Sequence, residues 1–414
     1  MKTIFVFFVL LFMLPLGVSA MSSGIAVLNE HGNLFAISRA GRINVYELPR
    51  LNLLRSIDLT ADEDPYDDSF NEQVVELVFA RDSRSLWWFQ QGYFYSVDLT
   101  KSGAKPEKFN SKPFDLQSWF TFSVDANTSK ICTSEMGKRN LSDQPSPCSP
   151  TYRAPVLMDK SGKVHYGISP KACAFVSMVE MDKQGNAVFD MQGDGIYYYK
   201  ASSGETKKIF NGSYRLFRNC ISADGKTILM NTRLPLTNEQ KAIRDEKIEG
   251  VLKSKFNNIV RNAAEAERYQ VDWAQYTKEK EWLYFCYGND SVYTLVTTTL
   301  EDGVWQKPVQ PIPPHLNPIA WGVTLSDDGN RICWMDLQRG EDGNSITQSV
   351  LRLTSRVNGV WQAPRDVFAM KGYDNTGGRT SYMICGDYMV SYLLGRCRII
   401  SGLNAEKFQV REVY

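Results

Sequence analysis

The sequence predicts an all-β fold, a seven-bladed β-propeller with a helical insertion in one blade. Three observations carry this. The first is Trp321 to Phe368, which reads strand, Asp-Asp-Gly turn, strand, polar loop, strand, Asn-Gly turn, strand. Short β-type runs punctuated by Gly, Asn and Asp are hairpin signals. The second is repetition. Ser291 to Ile312 repeats the third strand, the Gly turn and a Gly-Val-Trp-Gln-x-Pro closing, with closings at Gly303 and Gly359. The third is length. Taking 20 leader residues and roughly 50 of insertion from 414 leaves roughly 344, about 49 for each of seven units, a usual propeller period. Six or eight blades remain open. A lone four-stranded sheet has two unburied faces and two open edges, so such units must stack until a ring closes.

Residues 1–20 read as an export signal. Lys2 supplies the positive end, Ile4 to Leu16 is almost wholly apolar, and Val18-Ser19-Ala20 is a small-x-small cleavage site. The apolar run is shorter than the ~20 residues of a spanning helix, and Pro15 sits at its end. No cysteine follows the cleavage site, which argues against a lipid anchor. The expected mature chain, 21–414, is one propeller domain, periplasmic or secreted, without a membrane span.

Blade one covers about Gly24 to Leu59, with runs at Ile25–Leu28, Leu34–Ile37, Ile43–Tyr46 and Leu54–Ile57. Blade two runs from Val74 to Phe109. Blade three runs from about Leu116 to Ile168 and is interrupted by a Pro- and Ser-rich loop, Gly137 to Pro150. Blade four runs from Ala172 to Phe210, with turns at Lys183-Gln184-Gly185 and Gly193-Asp194-Gly195. Blade five begins at Tyr214, and its Asp224-Gly225 pair is a hairpin signal. From Thr237 to about Lys280 the pattern turns helical. Thr237 and Gln240 have capping-box spacing, and Ile248, Leu252, Phe256, Ile259 and Ala263 form a one-sided apolar stripe. Gly250 weakens its middle and is where it would break in two. The stripe is expected to pack on the edge of its own blade, with Trp273 and Tyr276 as anchors. The β-pattern is expected to resume at Trp282-Leu283-Tyr284-Phe285. Blade six is the opening stretch. Blade seven, from Ser381 onward, has four strand runs of its own, so the ring is expected to close by side-chain packing between blades one and seven.

Composition excludes some functions. Lys+Arg is 47 and Asp+Glu is 46, a balance unsuited to a general polyanion binder such as a nucleic-acid protein. Eight cysteines in an exported chain suggest disulfides between sequence neighbours: Cys132 with Cys148, Cys173 with Cys220, Cys286 with Cys333, and Cys385 with Cys397. Buried free thiols are the competing reading. No Cys-x-x-Cys is present.

Two turns, Ser222-Ala223-Asp224-Gly225-Lys226 and Ser326-Asp327-Asp328-Gly329-Asn330, resemble the Ser-Pro-Asp-Gly-Lys turns of TolB-type, WD40-like propeller repeats. The Gly-x-Trp-x-x-Pro closings at Trp305 and Trp361 are similar to that family too. The likeness is good over about 214–369, apart from the insertion. Both Pro positions are replaced, by Ala223 and Asp327. The resemblance implies an exported bacterial propeller that binds or scaffolds, and it names no ligand.

Catalytic signatures are absent. There is no Gly-x-Ser-x-Gly elbow, Walker loop or dinucleotide fingerprint. The three histidines, His31, His165 and His315, lack metal-ligand spacing, so no metal site is expected on them. Candidate ligand-binding residues lie on connectors between blades, which return to the channel mouth. They are Asp62, Asp64, Asp67 and Asp68 in an acidic loop; His315 in Pro311 to Pro318; and Tyr373, Asp374, Asn375 and Arg379 in Lys371 to Thr380. The acidic loop could hold Ca²⁺, although it lacks the glycine and spacing of an EF-hand. Asn127, Asn140, Asn211 and Asn289 begin glycosylation sequons. The favoured expectation is a non-catalytic platform for a protein, small-molecule or glycan ligand at the channel mouth, with a further partner at the insertion. The alternative is a glycosidase or lyase working through carboxylates such as Asp64, Asp67 or Asp374.

Overall fold

The computed structural model describes residues 26–39, 41–59, 76–90, 92–109, 122–125, 130–136, 153–159, 164–165, 176–191, 193–212, 214–287, 291–312, 319–339, 346–371, 381–393 and 396–413. Among them the strands pair antiparallel into seven sheets of consecutive strands. Sheet 1 holds β1 (Ala26–Leu28), β2 (Leu34–Arg39), β3 (Arg42–Glu47) and β4 (Asn52–Asp58). Sheet 2 holds β5 (Glu76–Phe79), β6 (Ser85–Gln90), β7 (Tyr93–Asp98) and β8 (Glu107–Lys108). Sheet 3 holds β9 (Phe122–Val124), β10 (Lys130–Met136), β11 (Arg153–Asp159) and β12 (Val164–His165). Sheet 4 holds β13 (Val176–Met181), β14 (Ala187–Met191), β15 (Gly195–Lys200) and β16 (Glu205–Asn211). Sheet 5 holds β17 (Arg215–Ile221), β18 (Thr227–Pro235), β19 (Ser291–Glu301) and β20 (Val304–Trp305). Sheet 6 holds β21 (Ile319–Leu325), β22 (Arg331–Arg339), β23 (Ile346–Val357), β24 (Val360–Trp361) and β25 (Arg365–Lys371), the last also paired with β23. Sheet 7 holds β26 (Ser381–Cys385), β27 (Tyr388–Leu393), β28 (Arg396–Ser401) and β29 (Gln409–Val413).

The first strand of each sheet touches the first strand of the next, and β26 returns to touch β1. The chain is therefore a β-propeller, all-β with few helices, whose first strands surround a central channel. Each sheet is sandwiched between two others, which buries a second strand on both faces. β6 and β14 are buried at every residue. In sheet 6, Ile332 and Trp334 face Leu229 and Leu295 of sheet 5, while Cys333, Met335 and Leu337 face Ile384 and Met389 of sheet 7. The two-residue period of a strand directs alternate side chains to the two neighbours.

Each repeated tryptophan is a peg between sheets. Trp305 meets Tyr198 of sheet 4 edge-on at 5.4 Å, and Trp361 packs on the cluster of Leu229 and Leu295. Each closing hairpin thus hooks back onto the preceding sheet, leaving Val304 and Val360 exposed at the tips. Sheet 7 supplies all its own strands, so its seam with sheet 1 is held by packing. Ala26, Leu28, Phe35 and Ile37 meet Cys385, Val390, Tyr392, Cys397 and Ile399 there.

Between β18 and β19 lie α1 (Asn238–Phe256), α2 (Ala263–Arg268) and α3 (Trp273–Tyr287). Thr237 caps α1 with a complete capping box to Gln240. Gly250 stays inside α1, where it is exposed; the helix ends at Asn257, whose φ of 62° is left-handed. The strand expected at Trp282 to Phe285 is instead the last part of α3. Tyr276, Leu283 and Tyr287 recur at helical spacing and bury against Ile248, Val251 and Leu252 of α1. Four of the stripe residues, Ile248, Leu252, Phe256 and Ile259, thus pack in a core made by the helices themselves, in place of the expected packing on the edge of sheet 5. All the buried members of this cluster, from Ile248 to Tyr287, come from the insertion.

Cys220, Cys333, Cys385 and Cys397 are buried free thiols, so three of the expected disulfides do not form. For Cys385 and Cys397 the reason is visible in the sheet. β27 lies between β26 and β28, which places those strands roughly 10 Å apart, beyond the Cα reach of a disulfide. The Cys132–Cys148 pairing lies outside the described residues, as do the side chains of Cys173 and Cys286. Among the described residues no helix is long and apolar enough to cross a membrane.

Candidate functional site

Up-and-down strand order sorts the connections by channel end. Turns from first to second strand lie at one end, called here the turn end. At the other end the last strand of each sheet stops and the first strand of the next begins, and the three helices, which follow the second strand of sheet 5, start there. Asp62, Asp64, Asp67, Asp68, His315, Tyr373, Asp374, Asn375 and Arg379 lie outside the described residues. His31 is exposed in the β1–β2 turn. Among the described residues no group of three or more His, Cys, Asp or Glu is arranged to hold a metal ion.

The turn end is built from one local motif. Ser222 Oγ donates to Asp224 at 2.6 Å and accepts from the Thr227 N–H at 2.9 Å, while the Lys226 N–H caps Asp224 at 3.0 Å. Ser326, Asp328, Asn330 and Arg331 repeat this geometry in sheet 6. Gly225 and Gly329 have φ of 72° and 70°, which glycine adopts without strain. They are also pressed against the preceding sheet. A Cβ on Gly225 would lie 2.1 Å from Asp182 Oδ2, and one on Gly329 would lie 2.8 Å from Thr227 Oγ1.

The residue after the first turn position does the joining. The Lys183 N–H donates to the Ala223 carbonyl at 3.1 Å, Ala223 to Asp327 at 2.8 Å, and Asp327 to Ile384 at 3.3 Å. This backbone chain links sheets 4, 5, 6 and 7. Ala223 and Asp327 are the positions where the TolB-type turn has Pro. Proline has no N–H, so it could not make these bonds.

Side chains at the same positions cross the channel. Arg81 Nη1 of sheet 2 donates to Asp327 Oδ1 of sheet 6 at 2.8 Å, and Lys183 of sheet 4 pairs with Glu30 of sheet 1. Sheets 2 and 6 are not neighbours in the ring, nor are 1 and 4, so both pairs span the channel. Deeper in, Arg218 of sheet 5 forks onto Glu76 of sheet 2 at 2.9 and 3.2 Å. Cys385 Sγ adds a donor to Asp327 Oδ2 at 3.1 Å. Burial by itself would lower the Arg81 pKa, but Asp327, then Glu180, raise it above the usual guanidinium value.

Glu180 occupies the channel interior. It accepts from Ser123 Oγ at 2.8 Å and from the Asn219 N–H at 3.3 Å. Burial raises its pKa, against the opposing effects of Ser123 and of the Arg81 charge. Asp182 is raised mainly by burial too, against its bonds to Asn186 and Gln184. Among the described channel residues, Arg81 with Asp327, Lys183 with Glu30 and Arg218 with Glu76 form ion pairs across the axis.

Sequence reasoning missed Arg81, Asp327, Glu180 and Arg218. One signal was present: Glu30, Arg81, Lys183 and Asp327 occupy equivalent turn positions and are all charged. Aligning the repeats on their turns would have exposed that ring.

No protein-family profile matches the chain, and no curated protein does. Solved structures do resemble it. A structure from work on two prolyl endopeptidases shares 10% identity over 95% of this chain, with a TM-score of 0.52. The GH74 enzyme of Niastella koreensis shares 12% over 95%, with a TM-score of 0.51. The chain spans 50% and 54% of those two proteins. A protein named as a TolB from Agrobacterium tumefaciens shares 12% over 72% of this chain and 81% of its own length, with a TM-score of 0.39. At these identities the likeness concerns the fold, a β-propeller.

Proposed function

We propose that the chain is an exported, non-catalytic propeller of seven blades that serves as a binding or assembly platform, and that its working face is the connector end. The observation that supports this most is the insertion. Three helices with a core of their own stand at that end, with Ile243, Tyr269 and Trp282 exposed. An excursion with a core of its own is suited to recruiting a protein partner. The turn end, by contrast, is crossed by ion pairs. In this reading 1–20 is an export signal and 21–414 the mature domain, which acts in the periplasm or outside the cell. A glycan or small-molecule ligand at the connectors, with Ca²⁺ at the acidic loop, belongs to the same reading.

Pro235 and Ser291 are direct register partners at the base of the insertion. Replacing 236–290 by a two-residue hairpin turn therefore leaves sheet 5 intact. The truncated protein is expected to melt within a few degrees of wild type and to lose the partner that wild type retains in pull-downs from envelope or medium. Purified wild type that turns over a glycan panel and retains no partner would overturn the proposal.

A further inference from the structure

Asp327 joins four sheets. Its carboxylate takes the Arg81 guanidinium from sheet 2 and the Cys385 thiol from sheet 7. Its N–H donates to Ile384 of sheet 7, and its carbonyl accepts from Ala223 of sheet 5. Going round the ring from sheet 6 to sheet 2 passes sheets 7 and 1. The Arg81–Asp327 pair therefore straddles the seam where the chain's two ends meet. That seam has no shared strand. Its apolar contact, from Ala26 to Ile399, is of the same kind as the contacts between other sheets. At those other boundaries, however, a covalent connector also ties one sheet to the next. The closing seam alone lacks that tether.

We propose that the Arg81–Asp327 pair, with the Cys385 thiol bound to it, is a lock for this seam. When it releases, sheets 7 and 1 part before the rest of the ring unfolds. The device is conformational: a ring whose opening point is set by one cross-channel contact. Local openings of this sort are cooperative and lie below the global unfolding energy.

The molecule carries its own reporters. Cys385 and Cys397 are packed in the closing seam, whereas Cys220 lies between sheets 4 and 5. All three are at most 2% exposed, and burial raises the pKa of each, that of Cys397 to about 12. Such thiols react only when their surroundings open. Cys397 is the cleaner reporter because Cys385 touches Asp327 itself.

The test is pulsed alkylation of the full chain by a small iodoacetamide in denaturant below the unfolding transition, read by peptide mass spectrometry. In wild type Cys397 is expected to label about ten-fold faster than Cys220, as a lower-energy local opening requires. In Asp327→Asn the gap is expected to widen, with Cys220 changing less than Cys397. Should Asp327→Asn fail to fold, Arg81→Lys is read the same way. Equal rates at Cys397 and Cys220 in wild type would overturn the proposal. So would a gap that the variant leaves unchanged.

Discussion

The Arg81 guanidinium donates to the Asp327 carboxylate at 2.8 Å, although 246 residues separate them, and the two side chains are 11% and 10% exposed. A pair so shielded behaves differently from a surface salt bridge. Removing one partner strands the other charge, and Asp327→Ala or Arg81→Ala is expected to cost about 3–5 kcal/mol. The double variant Arg81→Met/Asp327→Leu is expected to recover much of that, because neither member of the pair is then stranded without the other. Urea unfolding of the four proteins measures the coupling. Additive single-variant losses would mean that the contact contributes nothing of its own.

Ala223 stands where the resembled turn has Pro, and its N–H bonds to Asp327 across a sheet boundary. Ala223→Pro deletes that donor and is expected to lower stability by about 1–3 kcal/mol. The shift in the urea midpoint reports it. A neutral or stabilising result would show that the turn tolerates Pro here and that the backbone chain has no weight.

Glu180 is buried with its pKa raised, first by desolvation. The sign follows from linkage. The folded state holds this proton more tightly than the unfolded chain, so folding loses stability as pH climbs from the ordinary glutamate value through the raised one. Glu180→Gln cannot ionise and keeps an oxygen for Ser123. Its melting temperature is expected to vary less with pH than that of wild type as pH rises above the ordinary glutamate value. Identical slopes for the two proteins would show that Glu180 does not change charge there.

Much of the architecture could be read locally. The sheet runs, the Asp-Gly turns at Gly225 and Gly329, and the Thr237 cap are set by residues within a few positions of one another. The reading failed where local signals were ambiguous. Trp282 to Phe285 is a four-residue aromatic run, and periodicity over four residues does not separate strand from helix. Only contact with Ile248 and Leu252 settles it. The even cysteine count suggested bridges, yet Cys385 and Cys397 lie on strands held apart by β27.

By itself the amino-acid order determined the repeated four-stranded unit, the place of the helical excursion and the Asp-Gly turns that end the first strands of sheets 5 and 6. These depend on backbone preferences and on spacing along the chain. Tertiary structure alone decided which side chains meet in the channel, because Arg81, Glu180, Arg218 and Asp327 come from different sheets and become neighbours only when the ring closes. Closure also shields them from water, and that loss of water is what makes each partner necessary.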